Sequence, residues 1–126
     1  MNTIFLANMV ISTLFGLGFT LLPVMMANLY GATLTAGGYF MTRLFGAALL
    51  SMVVLLWYAR SSDYAAFINA TSRSMFTYWL IGSVIILLAQ LAGLFNWVAW
   101  ATFGLHAVFV IWYAFKIFKG LDRSKS

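Results

Sequence analysis

The sequence predicts an all-α, polytopic membrane protein, a single domain of four transmembrane helices in an antiparallel up-down bundle. Three observations carry that reading. Of 126 residues only seven are Lys or Arg and two are Asp or Glu, so the chain is 64% hydrophobic and 7% charged, whereas soluble domains are about 25% charged. The charges fall almost entirely outside four long apolar runs. Each run is long enough for a helix of ~20 residues to cross ~30 Å of hydrocarbon, and the four with short connectors account for the whole length as one domain, 1–126.

The first run, 4–27, carries no charge. Pro23 near its end is tolerated in a membrane helix where a neighbouring helix or the interface satisfies the carbonyl it frees. A signal peptide is the rival reading, but such peptides have a basic start and an apolar core of only ~7–15 residues. Met1-Asn2-Thr3 is not basic, so the run is expected to be retained. The connector from Tyr30 to Gly38 is uncharged and rich in Gly, Thr and Ala, which suits a close-lying loop.

The second run, 38–58, is interrupted only by Arg43. A central connector, 61–72, follows, in which Ser62-Asp63 offers a helix cap before a turn or two at the interface. The third run covers 75–94 and the fourth 97–115, joined by so short a turn that the two must be antiparallel neighbours. A basic tail, 116–126, is expected beyond the fourth helix.

Orientation follows from the basic residues, because Lys and Arg collect on the cytoplasmic side. With four spans, the central connector and both termini share one face, which holds Arg60, Arg73, Lys116, Lys119, Arg123 and Lys125, while the other face has only Arg43. A multi-pass protein of the cell inner membrane with both termini cytoplasmic is the expectation. Trp and Tyr favour the headgroup level. Trp57, Tyr58, Tyr64, Trp79, Trp112 and Tyr113 are accordingly expected to mark the inner boundary, and Tyr30, Tyr39, Trp97 and Trp100 the outer one.

Lipid tails give helices no hydrophobic reason to associate, so packed faces are expected where side chains are small. Asn8, Ser12, Gly16 and Thr20 form such a stripe in the first helix, and Arg43, Ala47 and Ser51 one in the second. Ser83, Gln90 and Gly93 do so in the third, and Ala99, Thr102 and His106 in the fourth. These stripes read as bundle interior, with a homo-oligomer contact as the alternative use.

Three side chains within the runs stand out chemically: Arg43, Gln90 and His106. An intramembrane Arg costs ~2.5–3.5 kcal/mol on insertion scales, so its presence calls for a reason. Arg43 lies within ~8 Å of the outer boundary, where its long stem can snorkel to phosphate or pair with loop carbonyls. Gln90 is expected at a similar depth, and together, with Asn28 or Asn96, they could bind an anionic ligand or lipid headgroup. Structural anchoring is the plainer reading. His106 falls ~14 Å below the outer boundary, near the midplane. There it either bonds to a Ser or Thr or offers a neutral imidazole as an axial ligand to haem iron or chlorophyll magnesium.

The sequence also excludes several chemistries. With no Cys, thiol relays and Cys-ligated metals are out. The only carboxylates, Asp63 and Asp122, lie outside the apolar runs. No acid/base pair, carboxylate metal site or Ser-His-Asp set can therefore form inside the membrane. A small four-helix multidrug exporter needs a membrane-embedded Glu, which is missing. Gly37-Gly38 with Arg43 is similar to the Gly-Gly and Arg pattern of small fluoride channels, but the spacing differs and the charge bias disfavours dual topology. The basic C-terminus reads as a lipid anchor and topology signal rather than a nucleic-acid site.

Thr102, His106 and Trp112 resemble the small-residue, His and Trp spacing of antenna polypeptides that bind bacteriochlorophyll; those chains have one span where this has four. More widely, Pro23, Leu29-Tyr30-Gly31, Arg43-Leu44-Phe45-Gly46-Ala47, Trp57 and Arg60 resemble small bacterial four-helix inner-membrane proteins, including DoxX-like chains. That resemblance implies an accessory role beside a redox partner. Without Cys or a second His, this chain itself would carry no electrons.

The expected function is non-catalytic: an accessory or scaffold subunit of a membrane complex, or a small homo-oligomer. No enzyme activity, metal, resident cofactor or nucleic-acid partner is expected. The partners are the lipid bilayer and either other membrane subunits or a second copy. Two alternatives stand beside it: a transport or ligand-binding protein using an interior face with Arg43, Gln90 and His106, and a pigment or haem binder through His106.

Overall fold

A computed structural model describes residues 2–125, with side chains through Gly120. Its described residues are helical apart from short turns, in five helices: α1 (Thr3–Leu21), α2 (Pro23–Leu29), α3 (Ala36–Ala59), α4 (Ala65–Leu91) and α5 (Trp97–Lys125). Four stretches, Thr3–Leu21, Ala36–Ala59, Ala65–Leu91 and Trp97–Gly120, are long and apolar enough to cross a membrane.

Three boundaries differ from the sequence reading. The first run, expected as one helix over 4–27, breaks at Leu22, whose φ of −130° and ψ of 53° leave the helical region. Pro23 then opens α2 at the position where its missing N–H costs nothing. The third helix starts at Ala65, not near Met75, so most of the expected central connector is helical. Only residues 60–64 turn, with Ser62 Oγ accepting from the Tyr64 N–H at 3.1 Å. Asn69, Thr71 and Ser72 are polar but not helix-breaking, and Ser72 Oγ returns its proton to the Ile68 carbonyl at 2.7 Å. The fourth helix runs through the expected tail to Lys125, since no Pro interrupts it and Gly120 is too isolated to stop it. The side chains of Asp122, Arg123 and Lys125 lie outside the described residues.

The helices pack as two pairs, α1 against α3 and α4 against α5. The α1–α3 seam is set by glycine. A Cβ on Gly46 would lie 2.7 Å from the Thr20 nitrogen and 2.8 Å from the Gly16 carbonyl oxygen, so the backbones approach as only glycine allows. Of the expected interior stripe of α1, Asn8, Ser12 and Gly16 are buried and Thr20 is half-buried. In α3 the expected stripe of Arg43, Ala47 and Ser51 is exposed instead, and Gly46, Leu49, Leu56 and Ala59 face inward. Gly46 rather than the polar residues chose the face.

The two pairs join at the end that holds Asn2 and Arg60. There Ile4 and Phe5 of α1, Leu56 and Ala59 of α3, Met75 and Trp79 of α4, and Phe109 and Tyr113 of α5 make one core. Trp79 and Tyr113, expected among interfacial rings, are 3% and 0% exposed and belong to this core. Trp57, Tyr58, Tyr64, Trp97 and Trp100 are exposed. A buried polar chain crosses the same region: Ser12 Oγ donates to Asn8 Oδ1 at 3.0 Å, and Asn8 Nδ2 donates to the Tyr113 hydroxyl at 2.7 Å. It ties α1 to α5 while satisfying groups whose isolation in an apolar interior would cost ~1–3 kcal/mol each.

Candidate functional site

At the opposite end the helix pairs are held by turns rather than by a core. Asn96 is the hinge pin. Its N–H donates to the Tyr30 carbonyl at 3.0 Å, its Nδ2 donates to the Leu29 carbonyl at 3.0 Å, and its Oδ1 accepts from Val98 N–H at 3.0 Å to start α5. Gly31 at φ +73° lets the chain turn beneath it; a Cβ there would come within 3.2 Å of the Asn96 amide. The Tyr30 hydroxyl shares a 2.7 Å hydrogen bond with Thr102 Oγ1. Burial pushes the Tyr30 phenol above its usual range, the Thr102 bond pulling weakly the other way, so it stays neutral.

Between this latch and the core lies a cavity of about 520 Å³, within the range of small-molecule sites. All four long helices and α2 contribute to it. Its walls are mostly aromatic and aliphatic, with Phe15 and Phe19 from α1 facing Ile86 of α4 and Leu105 of α5. Phe45, Ile81 and Ile85 line it and are also exposed, so it reaches the outer surface of the helices between α3 and α4. Its polar groups are few: those of Ser12, Tyr30, Thr42, Tyr78, Thr102 and His106, and the indole N–H of Trp79.

His106 is 8% exposed and sits among rings. Trp79 meets it edge-on with centroids 4.6 Å apart, and Tyr78 lies at 6.2 Å. Its Nδ1 is 2.9 Å from the Thr102 carbonyl. A carbonyl can only accept, so Nδ1 carries the proton and, in a neutral ring, Nε2 is left with a lone pair. The Cδ2–Nε2 edge lies against Gly82, where a Cβ would come within 2.8 and 2.9 Å of the two atoms. A haem or bacteriochlorophyll ring centred on a metal bonded to Nε2 would spread in every direction across that axis and run into α4, so the residues do not fit such a macrocycle. Among the described residues no group of three His, Cys, Asp or Glu could hold a metal ion.

Arg43 and Gln90 stand apart from His106 and from each other. Arg43 Nη1 donates to the Thr20 carbonyl at 2.6 Å, a group left without its helical donor because α1 ends at Leu21. A cation at a helix C-terminus also meets the negative end of the helix dipole. Gln90 Nε2 donates to the Asn96 carbonyl at 3.1 Å, bracing the α4–α5 turn. Neither residue lines the cavity. Of the three candidates, only His106 does.

Sequence reading missed Tyr78 and Trp79 as cavity residues. Trp79 carries a buried indole N–H without a hydrogen-bond partner, and the Tyr78 hydroxyl has no hydrogen-bond partner among the described residues. The available signal was spacing: Tyr78, Gly82, Ile85 and Ile86 share one helical face of α4, a face that the Ser83 and Gln90 stripe does not include. No protein-family model, curated protein or solved structure matches this chain.

Proposed function

We propose that this chain is a membrane-embedded binding protein for a small apolar molecule dissolved in the bilayer. The cavity of about 520 Å³ carries that reading: it is apolar, has few polar groups, and reaches the exposed surface of the helices at Phe45, Ile81 and Ile85. In a membrane that opening faces hydrocarbon, so the ligand enters from lipid without crossing water. Among the classes considered for the chain, ligand binding or transport is the one a built cavity supports. His106 remains part of it, whereas Arg43 and Gln90 serve as braces of the helix ends.

In this reading the four long helices cross the inner membrane up and down in antiparallel order, with both termini cytoplasmic. Arg60, Arg73, Lys116 and Lys119 lie toward the end shared with Asn2, and Arg43 is the lone basic residue toward the other. A reporter fused after Ser126 is expected to be active only when cytoplasmic folding is required; activity of a periplasm-dependent reporter would overturn the orientation.

Binding itself is tested with 1-fluoronaphthalene and protein in lipid nanodiscs, followed by fluorine NMR. Ile86→Trp, which places an indole in the half-buried wall, is expected to lower saturable binding at least tenfold while leaving the fold intact. Thr42→Phe, from the opposite helix pair, is expected to act in the same direction.

A further inference from the structure

We propose that the cavity selects a flat, apolar molecule bearing a hydroxyl group, a phenol-like alcohol, whose O–H donates to His106 Nε2. This rests on the ligand-binding reading above and assigns its chemistry. Three polar groups on residues of the cavity wall lack hydrogen-bond partners among the described residues: Nε2 of His106, the Tyr78 hydroxyl and the Trp79 indole N–H. Nε2 of His106 can only accept, because its tautomer is fixed by the bond from Nδ1 to the Thr102 carbonyl. The Tyr78 hydroxyl has no hydrogen-bond partner among the described residues, and its ring lies 6.2 Å from the imidazole centroid. His106 is 92% buried, from its 8% exposure, so lipid cannot satisfy it.

A neutral hydroxyl donates to Nε2, the one unmet acceptor of the three, and keeps an oxygen free to accept from Tyr78 or Trp79. A ketone, ether or ester brings only acceptors, which can take a hydrogen bond from Tyr78 or Trp79 but leave Nε2 unmet. An ionised carboxylate likewise lacks a proton, and an ammonium would bring a full charge into an apolar chamber at high desolvation cost. Flatness follows from the walls, where Phe15, Phe19, Phe45 and Phe95 offer ring faces and edges to an aromatic guest.

The experiment compares 4-fluoro-1-naphthol with its methyl ether on the intact protein in nanodiscs, using fluorine NMR. Partition into nanodiscs holding Ile86→Trp protein is subtracted. The naphthol is expected to bind about tenfold more tightly than the ether, the worth of a hydrogen bond that fills an otherwise unmet acceptor. His106→Phe is expected to erase that preference, bringing the naphthol to the affinity of the ether. Tyr78→Phe removes a donor that the oxygen of either probe can use, so it is expected to weaken both about two- to fivefold, at the lower end of hydrogen-bond worth, and to leave the preference in place; His106→Leu supplies a second variant if His106→Phe misfolds. Equal affinity of the two probes for the natural protein, or a preference that survives His106→Phe, would overturn the assignment while leaving cavity binding intact. No saturable binding of either probe would overturn the binding reading beneath it.

Discussion

Gly46→Leu is expected to destabilise the protein by about 3 kcal/mol, the upper part of the range for overpacking a closed interface. The reason is the identity of the atoms in the way. A Cβ on Gly46 meets the Thr20 hydroxyl and nitrogen and the Gly16 carbonyl, all on α1, and two of those three are backbone. A flexible side chain could swing aside, but the backbone of a helix can move only as a whole. In lipid, where association rests on close packing, separating α1 from α3 removes most of what holds that pair. Gly104→Leu is the control, since nothing lies within 4 Å of a Cβ there. Loss of glycine from a helix interior should stabilise by up to ~1 kcal/mol. Denaturation by sodium dodecyl sulfate in mixed micelles reads both, and equal midpoints for the two variants would refute the close-packed seam.

Trp79→Ala is expected to cost a similar amount, about 3 kcal/mol, the low end of the usual range for removing a buried Trp. The low end applies because the water-to-oil transfer contribution is small between lipid-embedded helices, while the lost contacts and the void remain. Trp79 is the residue where the core meets the cavity. It stacks on Phe109 at 4.5 Å with planes 11° apart and meets His106 edge-on. Its removal would join the void left behind to the existing cavity. Trp79→Phe keeps the stacking, and is expected to lose about 1 kcal/mol, the size of a conservative core change. The unpartnered indole N–H offers no hydrogen bond to lose. The same micelle titration ranks them, and an order with Trp79→Phe at or below Trp79→Ala would contradict the packing role.

The four long helices were legible because composition and run length depend only on which residues occur in sequence. Their ends were less so. Leu22 breaks the first run one residue before Pro23, yet a proline near a membrane helix end can equally be absorbed by a neighbour. Residues 65–74 look like a connector by polarity, but Thr71 and Ser72 are buried against the rest of the fold. Faces were legible where small residues and burial coincided, as for Asn8, Ser12 and Gly16 or Ala99 and His106. They were misread in α3, where the polar stripe through Arg43 points outward and one glycine governs packing. Trp79 and Tyr113 look like headgroup-level rings by type, and only the Asn8 hydrogen bond and the stacking on Phe109 reveal Tyr113 and Trp79 as core.

Of the candidate site, His106 was legible as an unusual residue and Arg43 as a charge in need of a reason. That Arg43 meets the Thr20 carbonyl could not be foreseen, because the carbonyl is orphaned by a helix break that was itself unread. The cavity is a property of how two pairs meet at one end and part at the other, which no stretch of sequence contains.

The most direct measurement is the titration of nanodisc-embedded protein with 1-fluoronaphthalene, comparing the natural chain with Ile86→Trp at matched lipid. A saturable bound resonance approaching one probe per chain, and lost on Ile86→Trp, is the expected result. A signal that rises linearly with probe and is identical in the two proteins would show partition into lipid alone, and would contradict a ligand site between the helix pairs.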